Sequence, residues 1–248
     1  MLATILTICI VVFLYLHVVY YLKHSDELDI YDVDVQSKPQ LEEACAMRQP
    51  FVFHYDCGVV VDWEKHKETE MCVVDLSGAK VELPARKAQK LFGKSPHYSE
   101  HNDRLVANLD YRAPLLRPPL CAFAYTDLLC GSDGVQTRYK YNDSFRNYLA
   151  VVQGAVKIRL GPPANTMGVE KDYYAYDFSS GDQCTKIVET TLEKGQTLFV
   201  PAYWWYSITY GENSCVASFR YKTALNCVAT FPDIALSFLQ RQNTRLFK

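Results

Sequence analysis

The second half of the chain constrains the fold most. From Leu128 onward, NYLAVV, VKIRL, KIVETTL, TLFVP, WYSITY and SCVASFRY are short, rich in β-branched and aromatic residues, and separated by Gly, Pro or Asn. This regular spacing predicts a barrel or sandwich. Ahead of it, Ser37-Lys38-Pro39-Gln40 resembles a capping box opening a helix over 39–48, with Leu41, Ala44 and Cys45 as its apolar positions. PFVFHY and GVVVDW read as strands. Leu83-Pro84 opens a second helix with Ala88, Leu91 and Phe92 on one side; its Arg86, Lys87 and Lys90 read as a solvated face. After the last strand, Thr230-Phe231-Pro232-Asp233 caps a helix striped with Ile234, Ala235, Phe238 and Leu239, which packs on the barrel or on a partner.

The other strong feature is N-terminal. Leu2 to Leu22 contains no Asp, Glu, Lys or Arg, and as a helix it spans roughly 31 Å, the thickness of a hydrocarbon core. An uncleaved anchor is the expectation. A signal peptide is the alternative, disfavoured because no Lys or Arg precedes the run and HVVYYLKHS offers no small-residue cleavage pattern. Lys23 is the one lysine or arginine directly flanking the run, so orientation is not determined. The domains are accordingly 1–23, a transmembrane anchor, and 24–248, one large domain whose body begins near Ile30.

A net charge of -2, with 22% charged residues, argues against a strongly basic nucleic-acid binder, and no nucleic-acid partner is expected. Nine cysteines are scattered without a CxxC or zinc-ligand spacing. They read as buried apolar residues or as pairs in an oxidising compartment, and no pairing follows from spacing. Asn142-Asp143-Ser144 matches the glycosylation triplet but falls in a predicted core strand region, a chance match.

LLCGSDGVQTRYKYNDSFRNYLAVVQGAVKIRLGPP, followed by GQTLFVPAYWWYSITY and ASFRYK, resembles the JmjC-type cupin core. It is most similar to the asparaginyl-hydroxylase-like branch of the iron(II)- and 2-oxoglutarate-dependent oxygenases, over roughly residues 28 to 240. The most specific element is Leu198-Phe199-Val200-Pro201-x-Tyr203-Trp204-Trp205, which in the family leads into the last metal ligand. The resemblance implies a mainly β fold, a double-stranded β-helix (jelly roll) with flanking helices, beside the one N-terminal transmembrane helix.

The family's chemistry needs two histidines and a carboxylate on one face of iron, as His-x-Asp with a distant His. Residues two apart on a strand project to the same side, which explains the spacing. Here the matching triplet is Tyr141-Asn142-Asp143, and the distant position is Tyr206. Asp143 alone survives. All six histidines lie in the first 101 residues, so no shift of alignment within the barrel restores an imidazole. The triad positions Tyr141, Asp143 and Tyr206 are therefore expected to hold no metal and to plug the barrel, tyrosines donating to the aspartate.

The cosubstrate positions are also altered. The family lysine for the distal carboxylate matches Val156, with Lys157 displaced by one residue onto the opposite face beside Arg159. Thr137 and Asn147 match cosubstrate-holding positions, the first only approximately because of a one-residue insertion before Tyr141, and a late-strand Asn appears as Ser218. Thr137, Asn147, Lys157 and Ser218 thus mark a relic pocket with no cofactor expected.

Three functions compete. The favoured one is a non-catalytic, membrane-anchored cupin-like domain with structural or interaction roles, its membrane partner engaged through residues 2–22. Similarity to cupin-like proteins of large DNA viruses, including YSEHND after LPARKAQKLF, implies a minor virion protein linking an internal membrane to capsid proteins. The second is a hydroxylase or demethylase-like oxygenase with an atypical Tyr/Asp/Tyr site. The third is a ligand-binding module whose pocket, lined by Tyr141, Asp143, Asn147, Trp204 and Tyr206, needs some 300 Å³. The segment DYYAYDF reads as contact surface or ordinary tyrosine packing.

Overall fold

Alternation with a period of two runs through the strands and divides their side chains between two packed layers. The computed structural model describes residues 2–107, 109, 111–165, 167–173 and 177–243. The first half supplies α1 (Leu2–Leu22), β1 (Tyr31–Asp32), α2 (Lys38–Ala46), β2 (Phe51–His54), β3 (Glu70–Asp75), β4 (Lys80–Pro84), α3 (Ala85–Phe92), β5 (His97–Ser99) and α4 (Asp103–Val106). The second half is mostly strand: β6 (Cys121–Gly131), β7 (Tyr139–Tyr141), β8 (Arg146–Gln153), β9 (Ala155–Gly161) and β10 (Glu170–Asp172). It continues with β11 (Asp177–Ser180), β12 (Val188–Glu193), β13 (Gln196–Phe199), β14 (Trp205–Tyr210) and β15 (Cys215–Thr223), then α5 (Ala224–Ala229) and α6 (Phe231–Asn243).

These strands form a nine-stranded sheet, β1-β2-β13-β8-β15-β6-β5-β3-β4, and a six-stranded one, β10-β11-β7-β14-β9-β12. The mainly β, two-sheet fold with flanking helices is the one the strand pattern predicts. Val52, Leu149, Val151, Leu198 and Val216 from the larger sheet meet Val156, Ile158, Leu160, Tyr206, Ile208 and Tyr210 from the smaller one in a single core. Their strand neighbours Phe51, Phe53, Tyr148, Ala150, Ala217, Phe219 and Tyr221 turn the other way, against Leu41 and Cys45 of α2, Ala85 and Ala88 of α3 and Leu105 of α4. β8 is buried on both faces, so NYLAVV reads as a continuous apolar run and not as an alternating one. Each large apolar side chain fully buried this way stabilises by roughly 1.5–3 kcal/mol.

Local signals are met in part. α2 runs Lys38–Ala46 with Ser37 as N-cap, but the Ser37 side chain makes no capping bond. Gln40 Oε1 instead accepts from the Gln36 N–H at 3.0 Å, so the reciprocal half of the box closes one residue early. Gly154 turns β8 into β9 at φ +68, where an added Cβ would sit 2.9 Å from Ser214 Cα; only glycine fits. No residue in the Leu2–Tyr20 window of α1 is buried, and its mean hydropathy of 2.6 makes it long and apolar enough to cross a membrane. A signal sequence has the same properties.

Candidate functional site

The register of β7 decides what faces the core. Lys140 pairs with Tyr206 of β14 and with Ser179 of β11, whereas Tyr141 pairs with Phe178. Directly opposed residues share a face, so Lys140 lies on the face of Tyr206, turned toward the other sheet, and Tyr141 on the reverse. There the Tyr141 ring stands edge-on to Trp205 at a centroid distance of 4.9 Å and stacks on Phe178 at 5.4 Å.

The expectation that Tyr141 and Tyr206 close together over Asp143 is thereby corrected. A one-residue offset reverses the face of a strand residue, and here the core-facing position of β7 falls to Lys140 and not to Tyr141. Asp143, beyond the end of β7, is bound instead by Lys222 of β15, whose Nζ lies 2.8 Å from both carboxylate oxygens. These two side chains are only 2–3% exposed. Asn226 Nδ2 of α5 adds a 3.1 Å bond to the Asp143 carbonyl. Asn142 is buried with its Oδ1 accepting from the Ser144 N–H, which leaves the glycosylation triplet inaccessible.

Around Lys140 the structure assembles residues that the reading of the barrel strands alone missed. Its ammonium pairs with Glu100, which is 4% exposed. His101 Nε2 lies 3.7 Å from Glu100 Oε1 and 3.5 Å from Asp177 Oδ2, and Lys80 Nζ is 3.6 Å from Asp177. His101 takes the left-handed region at φ 60, a cost of about 1–2 kcal/mol. Asp127 holds that turn by accepting from the His101 and Asn102 N–H groups, both at 2.8 Å.

The electrostatics follow. Burial works against the charge of Lys140, but Glu100 beside it prevails and raises its pKa well above the usual lysine range. Asp177 is desolvated too, yet His101, Lys140 and Lys80 hold its carboxyl well below the usual range. Burial pushes the Asp127 carboxyl and the Tyr206 phenol up, the latter against the pull of Lys140.

The remaining relic positions are dispersed. Thr137 Oγ1 accepts from the Ile208 N–H at 3.0 Å and so fastens the loop before β7 to β14. Asn147 is fully buried on β8, its side-chain atoms without a hydrogen-bond partner. Lys157 and Arg159 point out of the core, where both pair with Glu189, Arg159 Nε at 2.6 Å. Ser218 lines a cavity of about 20 Å³ beside Lys140, Tyr206 and Arg220, room for about one water. A wider cleft of about 250 Å³ opens next to it, sharing Glu100, Lys140 and Asp177 and walled by Lys80, Tyr98 and Arg138. Within DYYAYDF, Tyr174, Ala175 and Tyr176 lie outside the described residues, whereas Tyr173 packs on Phe178 and its hydroxyl donates to Asp233 of α6 at 3.2 Å.

A family model described as a cupin-like domain matches residues 67–224, more than half of the chain. The chain belongs to the cupin-like domain family. No curated protein matches it. Its cupin-like barrel places it in the cupin/JmjC superfamily, whose oxygenases hold iron and 2-oxoglutarate, and the residues present can be tested against both.

They fit neither group. Where the superfamily requires two imidazoles and a carboxylate, the described residues bring one imidazole, His101, within 4.8 Å of the Glu100 and Asp177 oxygens. Those two carboxylates are already matched by the ammonium groups of Lys140 and Lys80, so a divalent cation would overcharge the group. For 2-oxoglutarate, the Thr137 hydroxyl is engaged, Lys157 is outside, and the cavity beside Ser218 holds only about 20 Å³, while the 250 Å³ cleft next to it is lined by none of Thr137, Asn147, Lys157 and Ser218.

Proposed function

We propose that this cupin-like protein is a non-catalytic, membrane-anchored structural or interaction module. The observation carrying this reading is Lys140, a tethered ammonium paired with Glu100 on the face of Tyr206, where an oxygenase presents metal ligands. Lysine is not a ligand while protonated, and its raised pKa keeps it so at neutral pH.

An interaction role draws support from the surface. Phe231, Leu236, Phe238 and Leu239 of α6 and Phe123 and Tyr125 of β6 are all 46–64% exposed, apolar and aromatic side chains of the kind that contact surfaces use. Retention of α1 as an anchor is part of the proposal, supported by its length and by the lack of a small-residue cleavage pattern after it. The viral setting, a minor component joining an internal membrane to a capsid, rests on the sequence resemblance alone and requires the protein in purified particles.

The decisive experiment is anaerobic calorimetry of the full chain in micelles, titrated with iron(II) or manganese(II), with and without 2-oxoglutarate. The expected result is no binding at micromolar affinity. Stoichiometric binding that tightens with 2-oxoglutarate refutes the non-catalytic reading and makes Lys140 a group that moves aside.

A further inference from the structure

Cys215, the first residue of β15, pairs directly with Cys130 of β6. Directly opposed residues in an antiparallel pair have Cα atoms about 4.5–5.5 Å apart, inside the roughly 4.4–6.8 Å that a disulfide spans. The two sulfurs already lie 3.0 Å from each other, about 1 Å beyond a bonded S–S distance. Both side chains are nearly sealed from solvent, at 3% and 4% exposed. Other sulfurs among the described residues meet different groups: Cys45 of α2 the Tyr148 Oη at 3.4 Å, Cys121 the Phe123 carbonyl at 3.3 Å and Cys184 the Met167 sulfur at 3.3 Å.

We infer that Cys130 and Cys215 are a cross-strand disulfide site that clamps β6 to β15 when the domain folds in an oxidising compartment. The reaction is thiol–disulfide exchange with a small-molecule or protein disulfide. One thiolate attacks the oxidant and expels its first sulfur as a thiol; the second thiolate attacks the mixed disulfide and expels the other. One S–S bond is broken and one made, and the two protons lost by the cysteines end on the two thiols released.

Burial sets the timing. Both sulfurs are sealed from an oxidant once the sheet has closed, and desolvation raises the Cys130 thiol well above its ordinary pKa. The bond therefore forms as β15 docks on β6, and once formed it is shielded from reductant. The clamp closes the barrel wall between residues 85 positions apart in sequence, and it is independent of the reading of the barrel centre.

The test is refolding of the full chain in micelles in glutathione buffers set to the poise of a secretory compartment and of the cytosol. Acid quenching, alkylation and peptide mass mapping follow. The expected result at the secretory poise is that more than half of the molecules yield the Cys130 and Cys215 peptides joined and 2 Da light. A Cys130→Ala or Cys215→Ala variant then loses the joined species and gains one alkylated thiol on the remaining partner. Recovery of both cysteines alkylated at that poise, or joined to other cysteines, overturns the proposal, and the wild-type map decides this even where a variant fails to fold. Oxidation only after the reduced protein has already folded would contradict the timing.

Discussion

Replacing Lys222 by Met leaves the Asp143 carboxylate buried without its cation, and Asp143→Leu strands the ammonium in the same way. Both groups are almost wholly buried at 2.8 Å, so neither recovers its loss from water. Removing one member of such a pair costs about 3–5 kcal/mol, because the survivor remains desolvated and has lost its opposite charge. In a domain of this size each kcal/mol moves Tm by about 2–4 °C, so each single variant melts about 6–20 °C lower. The double variant replaces both charges with apolar groups, an exchange often neutral or stabilising, and is expected within about 2 kcal/mol of wild type. Urea unfolding of the full chain in micelles at pH 7, followed by fluorescence of the buried Trp204 and Trp205, gives all four free energies. Single variants that each cost less than about 1 kcal/mol and simply add would refute the reasoning. Asp143 would then be a carboxylate held by something other than Lys222, and its candidacy as a ligand would reopen.

Other expectations follow from the same geometry. Asp177, whose pKa is depressed in the folded protein by His101, Lys140 and Lys80 against desolvation, stabilises fully above the unfolded carboxylate pKa of about 3.9. That contribution is lost only as pH falls below it toward the much lower folded value, so the urea midpoint of Asp177→Asn should trail wild type at pH 7 and the gap should begin to narrow only below about pH 4. A gap that widens on acidification would give the opposite sign. At Gly131, an added Cβ meets the buried Tyr210 ring at 2.2 Å, so Gly131→Ala should cost about 1–3 kcal/mol in the same unfolding assay. An unchanged midpoint would mean that Tyr210 has room to move.

Most of the architecture was legible because it depends on local alternation. Phe51, Val52 and Phe53 on β2, or Val156, Ile158 and Leu160 on β9, declare their faces by spacing alone. The helices at Leu83-Pro84 and after Thr230 declare themselves by breakers and apolar stripes. The barrel centre was harder, because there a single residue of register inverts the answer. In the triplet Tyr139-Lys140-Tyr141 the motif match points to Tyr141 and passes over Lys140, the residue that faces Tyr206. Glu100 and His101 were missed for another reason. They follow β5, which reaches the barrel only through its pairing with β6, a contact that no local pattern announces. Asp143 and Lys222 lie 79 positions apart and look like ordinary charged strand-end residues until the sheet closes.

Lys140 has a further consequence when considered by mass action. A barrel centred on a dissociable ion gains stability as the logarithm of free ligand over its dissociation constant, and so varies with supply, chelation and competing ions. The ammonium of Lys140 is covalently part of the chain and paired to Glu100 at a fixed local concentration. Its contribution to holding the sheets together carries no concentration term. Under the non-catalytic reading proposed above, the fold would be the same in a compartment starved of metal as in one replete with it.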